Sequence, residues 1–119
     1  MIEKISLAEK FNSFTDHWSP KIAGEINDSY VKLAKLQGEF VWHHHDFEDE
    51  LFLVISKLTI KLRDGEINLN EGEFAIVPRG TEHLPVADEE THVLLLEPKS
   101  TLNTGNVKSN RTIAVLDRI

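Results

Sequence analysis

The chain has 119 residues, of which 40% are hydrophobic and 28% charged, a balance that supports a buried core and excludes a disordered or fibrous polymer. Thirteen Lys and Arg against twenty Asp and Glu give a net charge of −7, so the summed field repels phosphate backbones and anionic lipid, and neither nucleic acid nor membrane is expected as a partner. The absence of cysteine excludes disulfides and thiolate chemistry and leaves His and carboxylate to hold any transition metal.

A chain of this length is expected to form a single domain over residues 1–119, with a core at about 29–98 followed by a C-terminal loop and strand at 99–119. The N-terminal Met1 to Ile5 has no basic stretch leading into an apolar run, and a cytoplasmic protein is expected. The longest apolar runs, Leu51 to Ile55 and Val93 to Leu96, fall far short of the roughly 18 residues of a membrane span.

In chain order, Ser6 followed by Glu9 makes a capping box. Leu7, Phe11 and Phe14 then recur at helical spacing before Pro20, which predicts one short helix over 7–14 whose apolar stripe packs on the outside of a sheet. From Lys21 onward, short runs of Val, Ile, Leu and Phe are broken every few residues by turn signals, the pattern of an all-β sandwich or barrel. Breaks are expected at Asn27–Asp28, Gln37–Gly38, Asp64–Gly65, Asn70–Gly72, Pro78–Gly80, Asp88–Glu90 and Pro98.

Asp64 and Gly65 both tolerate positive φ and predict a two-residue hairpin that pairs Ile60 and Leu62 near Ile67 and Leu69. Strand Glu73 to Val77 ends at Pro78–Gly80, with Pro78 in the second position of a type I turn. Residues 101–110 read as a loop rich in Thr, Asn and Ser before a last strand, Thr112 to Leu116. That strand pairs with a neighbouring subunit or with its own sheet.

Candidate chemistry concentrates in Val41 to His45. Read as a strand, its period of two puts His43 and His45 on one face and Trp42 and His44 on the other. The strand beginning at Glu50 points that carboxylate, Phe52 and Val54 one way and Leu51, Leu53 and Ile55 the other. His83 follows the rigid Pro78–Gly80 turn. Two arrangements fit this pattern. In one, three imidazoles and a carboxylate share a divalent transition metal, Zn, Fe, Ni, Co or Mn, rather than Ca or Mg. In the other, the imidazoles belong to a solvated strand end and are satisfied by Asp46, Glu48 or Asp49.

Gly38, His43, His45 and Glu50, followed by Gly72, Pro78, Gly80 and His83, resemble in order and spacing the two motifs of the cupin family. The resemblance is to small single-domain cupins, some of which are labelled mannose-6-phosphate isomerase-like. It covers residues 38–87 and implies a double-stranded β-helix, or jelly-roll barrel, with a metal bound inside by His43, His45, Glu50 and His83. Lys57 stands where the first motif usually ends in Gly, and Ala87 where the second usually ends in Asn. Gly38 lies one residue nearer the His pair than the commonest spacing, which leaves His44 as an alternative to His43 that strand parity disfavours.

The family hosts unrelated functions, including isomerases, dioxygenases and proteins without catalysis. An enzyme would use the ion on a small organic molecule in a pocket walled by Phe52 and Val54. A non-catalytic module would use it to stabilise the barrel or hold a ligand. No catalytic acid or base can be named from spacing. His17 and His92 read as surface or packed histidines, Glu82 as solvated, and Tyr30 and Arg79 as residues within possible reach of a substrate. Both faces of Leu51–Ile55 are apolar, so one requires a cover outside the barrel and a homodimer is expected.

Overall fold

The computed structural model describes residues 2–119. Among them there is one helix, α1 (Leu7–Phe11), and seven strands: β1 (Lys21–Ile26), β2 (Ser29–Glu39), β3 (Glu50–Val54), β4 (Lys57–Leu62), β5 (Gly65–Asn70), β6 (Phe74–Val77) and β7 (His83–Pro98). All strand pairs are antiparallel. Among the described residues no helix is long and apolar enough to cross a membrane.

β7 organises the sheet. Along one edge it pairs with β2 over nearly its whole length, from Ser29↔Pro98 to Glu39↔Val86. Along the other it pairs first with β4 (Leu62↔His83 to Thr59↔Val86) and then with β3 (Val54↔Val93 to Leu51↔Leu96). β5 and β6 extend β4 and β3 outward. The irregularities align: the β2 bulge at Leu36/Gly38, the break at Ile55–Ser56 and the break at Glu71–Glu73 fall at one level. The sheet bends there and closes its two halves on each other. Inward residues from both halves, among them Leu36, Phe52, Val54, Ile60, Val77 and Val93, form one core.

The opposite face carries a second cluster, in which Phe11 and Phe14 cover Leu33 with Ile55 and Leu94 beside them. The expected external packing of the N-terminal segment is present, but the helix ends at Phe11, and Phe14 reaches the sheet from the turn that follows. Ser6 caps the helix by accepting from Glu9 N at 3.3 Å.

Several local expectations are corrected. The hairpin turn is Arg63–Asp64, because Leu62 pairs with Gly65, and neither Asp64 nor Gly65 has positive φ. The pairs are therefore Ile60↔Ile67 and Leu58↔Leu69. Gly38, at φ 82°, makes a bulge inside β2 rather than ending a strand. Asp88–Glu90 is continuous strand; its charged side chains are exposed at the bend, where the chain crosses between sheet halves without a reversal. Pro78 takes the first turn position, since Thr81 N donates to Pro78 O, and Gly80 at φ 80° takes the third, the arrangement of a type II turn.

Residues 112–116 form no strand. Thr112 and Ile113 are tied to the preceding loop through Thr104 and Asn103. Beyond them the backbone meets the sheet at the isolated bridge Ile22↔Arg118.

Candidate metal centre

His43 and His45 arrive on an irregular segment rather than the expected strand. Its contacts with the β7 side are Phe40 N to Pro85 O, the reciprocal His43–His83 pair at 3.1 and 2.9 Å, and Gly80 N to His45 O at 2.7 Å. Three residues on one side match two on the other between the first and second contacts, and two match three between the second and third. No regular ladder can form over such steps, only the bridge His43↔His83. The result serves the expected end by another route, because the bridge holds His43 against His83. Glu50 opens β3 with the inward parity of Phe52 and Val54.

His43, His45, Glu50 and His83 are each 5% exposed or less. One ligand atom from each lies within 4.8 Å of every other. His43 Nδ1 donates to Val41 O at 2.8 Å and His83 Nδ1 to Thr81 O at 2.9 Å. In a neutral ring that assignment leaves Nε2 as a bare lone pair. Burial, with the His83 ring second, lowers the His43 pKa to about 4, so it stays neutral and ligand-competent at physiological pH.

His45 Nε2 and His83 Nε2 stand 2.9 and 3.3 Å from Glu50 Oε1. All three atoms are nevertheless buried without a hydrogen bond, within a group whose ligand atoms all lie inside 4.8 Å of one another. A cation among them would satisfy all three. The donor set therefore fits a divalent transition metal.

Two buried residues beside this group were not singled out in the sequence. Glu97 and Lys32 occupy inward positions of β7 and β2 and are joined by Lys32 Nζ to Glu97 Oε1 at 2.7 Å. Glu97 and Glu50 line the same cavity, and Glu97 Oε2 and Glu50 Oε1 are both buried without a hydrogen-bond partner. Burial and the Glu50 charge push Glu97 well above the ordinary carboxylate range. Burial alone would also raise Glu50, but the neighbouring Glu97 carboxyl and the His45 and His83 rings outweigh it and hold Glu50 well below. The available signal was parity: Lys32 aligns with Ala34 and Leu36, and Glu97 with Val93 and Leu95, on otherwise apolar faces.

A cavity of about 40 Å³ opens from His43, Glu50 and Glu97 between Trp18, Phe40 and Phe52. Val54, expected in its wall, is instead fully buried in the core. A larger groove of about 770 Å³ lies along Ser56–Thr59 and Asp88–Glu90 and includes none of the four candidate ligands. Trp18 and Phe40 stack at 4.8 Å, and Arg111 lies over both while donating to Glu39 O. Asn103, which also lines the cavity, bonds Arg111 O and Ile113 N. The C-terminal segment thus lies at the rim of the cavity. Gly105 makes its closest approach: a Cβ there would stand 2.1 Å from His44 O, and its φ is 56°.

The remaining candidates lie outside the group. His44 faces Asp46 and Glu82, with its backbone N–H held by Asn106. Glu82 pairs with Arg63, and Arg79 pairs with Asp49, steadying the turn before His83. Tyr30 packs beneath Lys99 and Arg118. Glu90 joins His17 and His92, and the latter stacks on Phe11.

Comparison with known proteins bears on this architecture directly. The family described as "Cupin domain" matches residues 29–97. The chain belongs to the cupin family. This cupin is 45% identical to a cupin-2 domain containing protein from Shewanella frigidimarina, with a TM-score of 0.79 over 80% of this chain and 94% of that one. A Neisseria meningitidis protein is 26% identical, with a TM-score of 0.74 over 82% of this cupin and all of its own chain. The uncharacterized protein YdbB of Bacillus subtilis is 39% identical over 77 residues, 63% of this chain and 68% of its own.

Proposed function

We propose that this cupin binds a divalent transition metal through His43, His45, Glu50 and His83 and uses it to hold or transform a small organic molecule. The observation that carries the reading is the convergence of His45 Nε2, His83 Nε2 and Glu50 Oε1, buried and without hydrogen bonds. Such atoms cost free energy unless a further partner joins them. The ion would supply Lewis-acid polarisation of a bound oxygen. The chain's own residues supply the rest: two backbone carbonyls fix the His43 and His83 tautomers, and Trp18, Phe40 and Phe52 restrict water around the ligand. The reading covers isomerase-like or dioxygenase-like chemistry. Binding without turnover is its alternative.

Elemental analysis of untagged protein purified without added metal, beside His83→Ala, tests the site. Stoichiometric Zn, Fe, Ni, Co or Mn in the parent and its loss in the variant are expected. A metal-free parent that neither takes up these ions nor gains thermal stability from them overturns the reading.

We also infer a homodimer. On the outer face Leu51 is paired with Ile76 and Leu53 with Phe74; Phe74 and Ile76 are 59% and 56% exposed. A flat apolar patch built on one sheet face can meet its own copy across a two-fold axis.

A further inference from the structure

The backbone that carries His43 and His45 is held along both edges. On one edge His43 exchanges hydrogen bonds with His83 at 3.1 and 2.9 Å, and His45 O accepts from Gly80 N at 2.7 Å. In an extended chain successive residues turn their N–H and C=O groups to opposite edges, so those of His44 face the other way. A single residue meets both of them. Asn106 N donates to His44 O at 3.0 Å, and Asn106 Oδ1 accepts from His44 N at 2.8 Å. The side-chain oxygen stands in for the carbonyl of a neighbouring strand, and one asparagine makes the reciprocal pair that a ladder would otherwise supply. The segment around it is braced. Thr104 is fully buried and shares a hydrogen bond with Thr112 Oγ1 at 2.6 Å, while Gly105 N and Val107 N close turns on Leu102 O and Thr104 O. Gly105 permits the approach: a Cβ there would stand 2.1 Å from His44 O and 3.1 Å from His43 Cδ2, the ring carbon bonded to Nε2.

We propose that Asn106 is a positioning residue for the metal centre: its two hydrogen bonds to His44 fix the peptide planes on either side of that residue, and with them the relative placement of the His43 and His45 rings. The inference rests on the metal reading above. His44 N belongs to the peptide that joins it to His43, and His44 O to the peptide that joins it to His45, so rotation of either plane would swing a ligand. Ligand groups work only when held within about 0.5 Å of the productive geometry. Asn106 is exposed and lies outside every strand, so its side chain contributes little to the core. Contacts that orient ligands from outside typically change metal affinity by about 10–100-fold.

The test follows metal binding and the His44 amide separately in the parent, Asn106→Ala and Asn106→Asp. Alanine removes the acceptor, and aspartate keeps an oxygen in its place. Calorimetric titration of Co2+, Mn2+ and Ni2+ into metal-free protein, at about 0.15 M salt to screen the added charge, should show Asn106→Ala binding about tenfold more weakly, with an altered Co2+ absorption spectrum. Asn106→Asp should stay within about threefold of the parent and keep the parent spectrum. In metal-free Asn106→Ala, hydrogen exchange should be faster at the His44 amide while the melting temperature stays close to the parent's. Faster exchange with parent-like affinity overturns the proposal, because the bond then exists without seating the ligands. Unchanged exchange also overturns it, because the bond is then not maintained in solution. So does an Asn106→Asp variant as weak as Asn106→Ala. An Asn106→Ala chain that fails to fold makes the contact a folding element and overturns it as well. A parent that binds none of the ions defeats the metal reading itself, a result distinct from the others, in all of which the parent binds.

Discussion

His45 Nε2 lies 2.9 Å from Glu50 Oε1, with both atoms buried and neither in a hydrogen bond. Two electron-rich atoms so placed contribute little to the metal-free fold and much to the capture of a cation. Glu50→Gln should therefore weaken metal binding by at least about 100-fold. Metal-free stability should change far less than metal affinity, since no hydrogen bond to the rings is lost. Chelator competition and urea unfolding measure the two effects. A large loss of metal-free stability with unchanged affinity would make the cluster structural.

The buried His43 ring predicts a pH dependence in metal-free protein. Its folded pKa of about 4 lies below the ordinary 6.5, so between those values the unfolded chain takes up a proton that the folded one refuses. Stability is fully present above 6.5, falls as pH drops toward about 4, and loses nothing further to this group below that. The whole gap corresponds to about 3 kcal/mol. Urea unfolding from about pH 7 to about pH 4 should show the parent losing that much more than His43→Leu. Parallel curves would refute the assignment.

Gly105 is expected to tolerate no side chain. In Gly105→Ala the new methyl would meet His44 O at 2.1 Å from a backbone already at φ 56°, and the segment must shift. A loss of about 2 kcal/mol is expected, with faster hydrogen exchange concentrated in residues 101–113. Unchanged exchange there would show that the close approach is not maintained in solution.

Phe74→Glu places a charge on the outer face of β6, where the parent side chain is 59% exposed. Sizing with light scattering at micromolar concentration should show a dimeric parent and a monomeric variant with unchanged far-UV circular dichroism. A monomeric parent would dispose of the homodimer.

The elements most legible in the sequence were those whose signal is local and periodic. Glu50, Phe52 and Val54 showed their shared direction by alternation, and the ordered Gly, His, Glu and Pro-x-Gly motifs indicated the barrel now seen. His43 and His45 were brought together without the strand expected to do it. Their geometry comes from non-local bridges to His83 and Gly80, which no spacing within 41–45 encodes. Lys57 starts β4 where the family usually has Gly; at that break Lys57 N is held by Thr91 Oγ1, and no positive φ is needed. Ala87, where Asn is usual, is 1% exposed in the core. Lys32 and Glu97 were legible in principle as charges on apolar faces, but each becomes meaningful only once β2 and β7 are known to be neighbours.

The cavity of about 40 Å³ has a kinetic consequence. It holds roughly one or two waters, whereas sites for larger organic ligands usually measure about 300 Å³ or more. A guest beyond a few atoms would need Asn103, which lines the cavity, and Arg111, which lies over Phe40, to move aside. Association would then saturate with ligand concentration at the opening rate of the C-terminal segment, and residence times would lengthen with every contact that seats it.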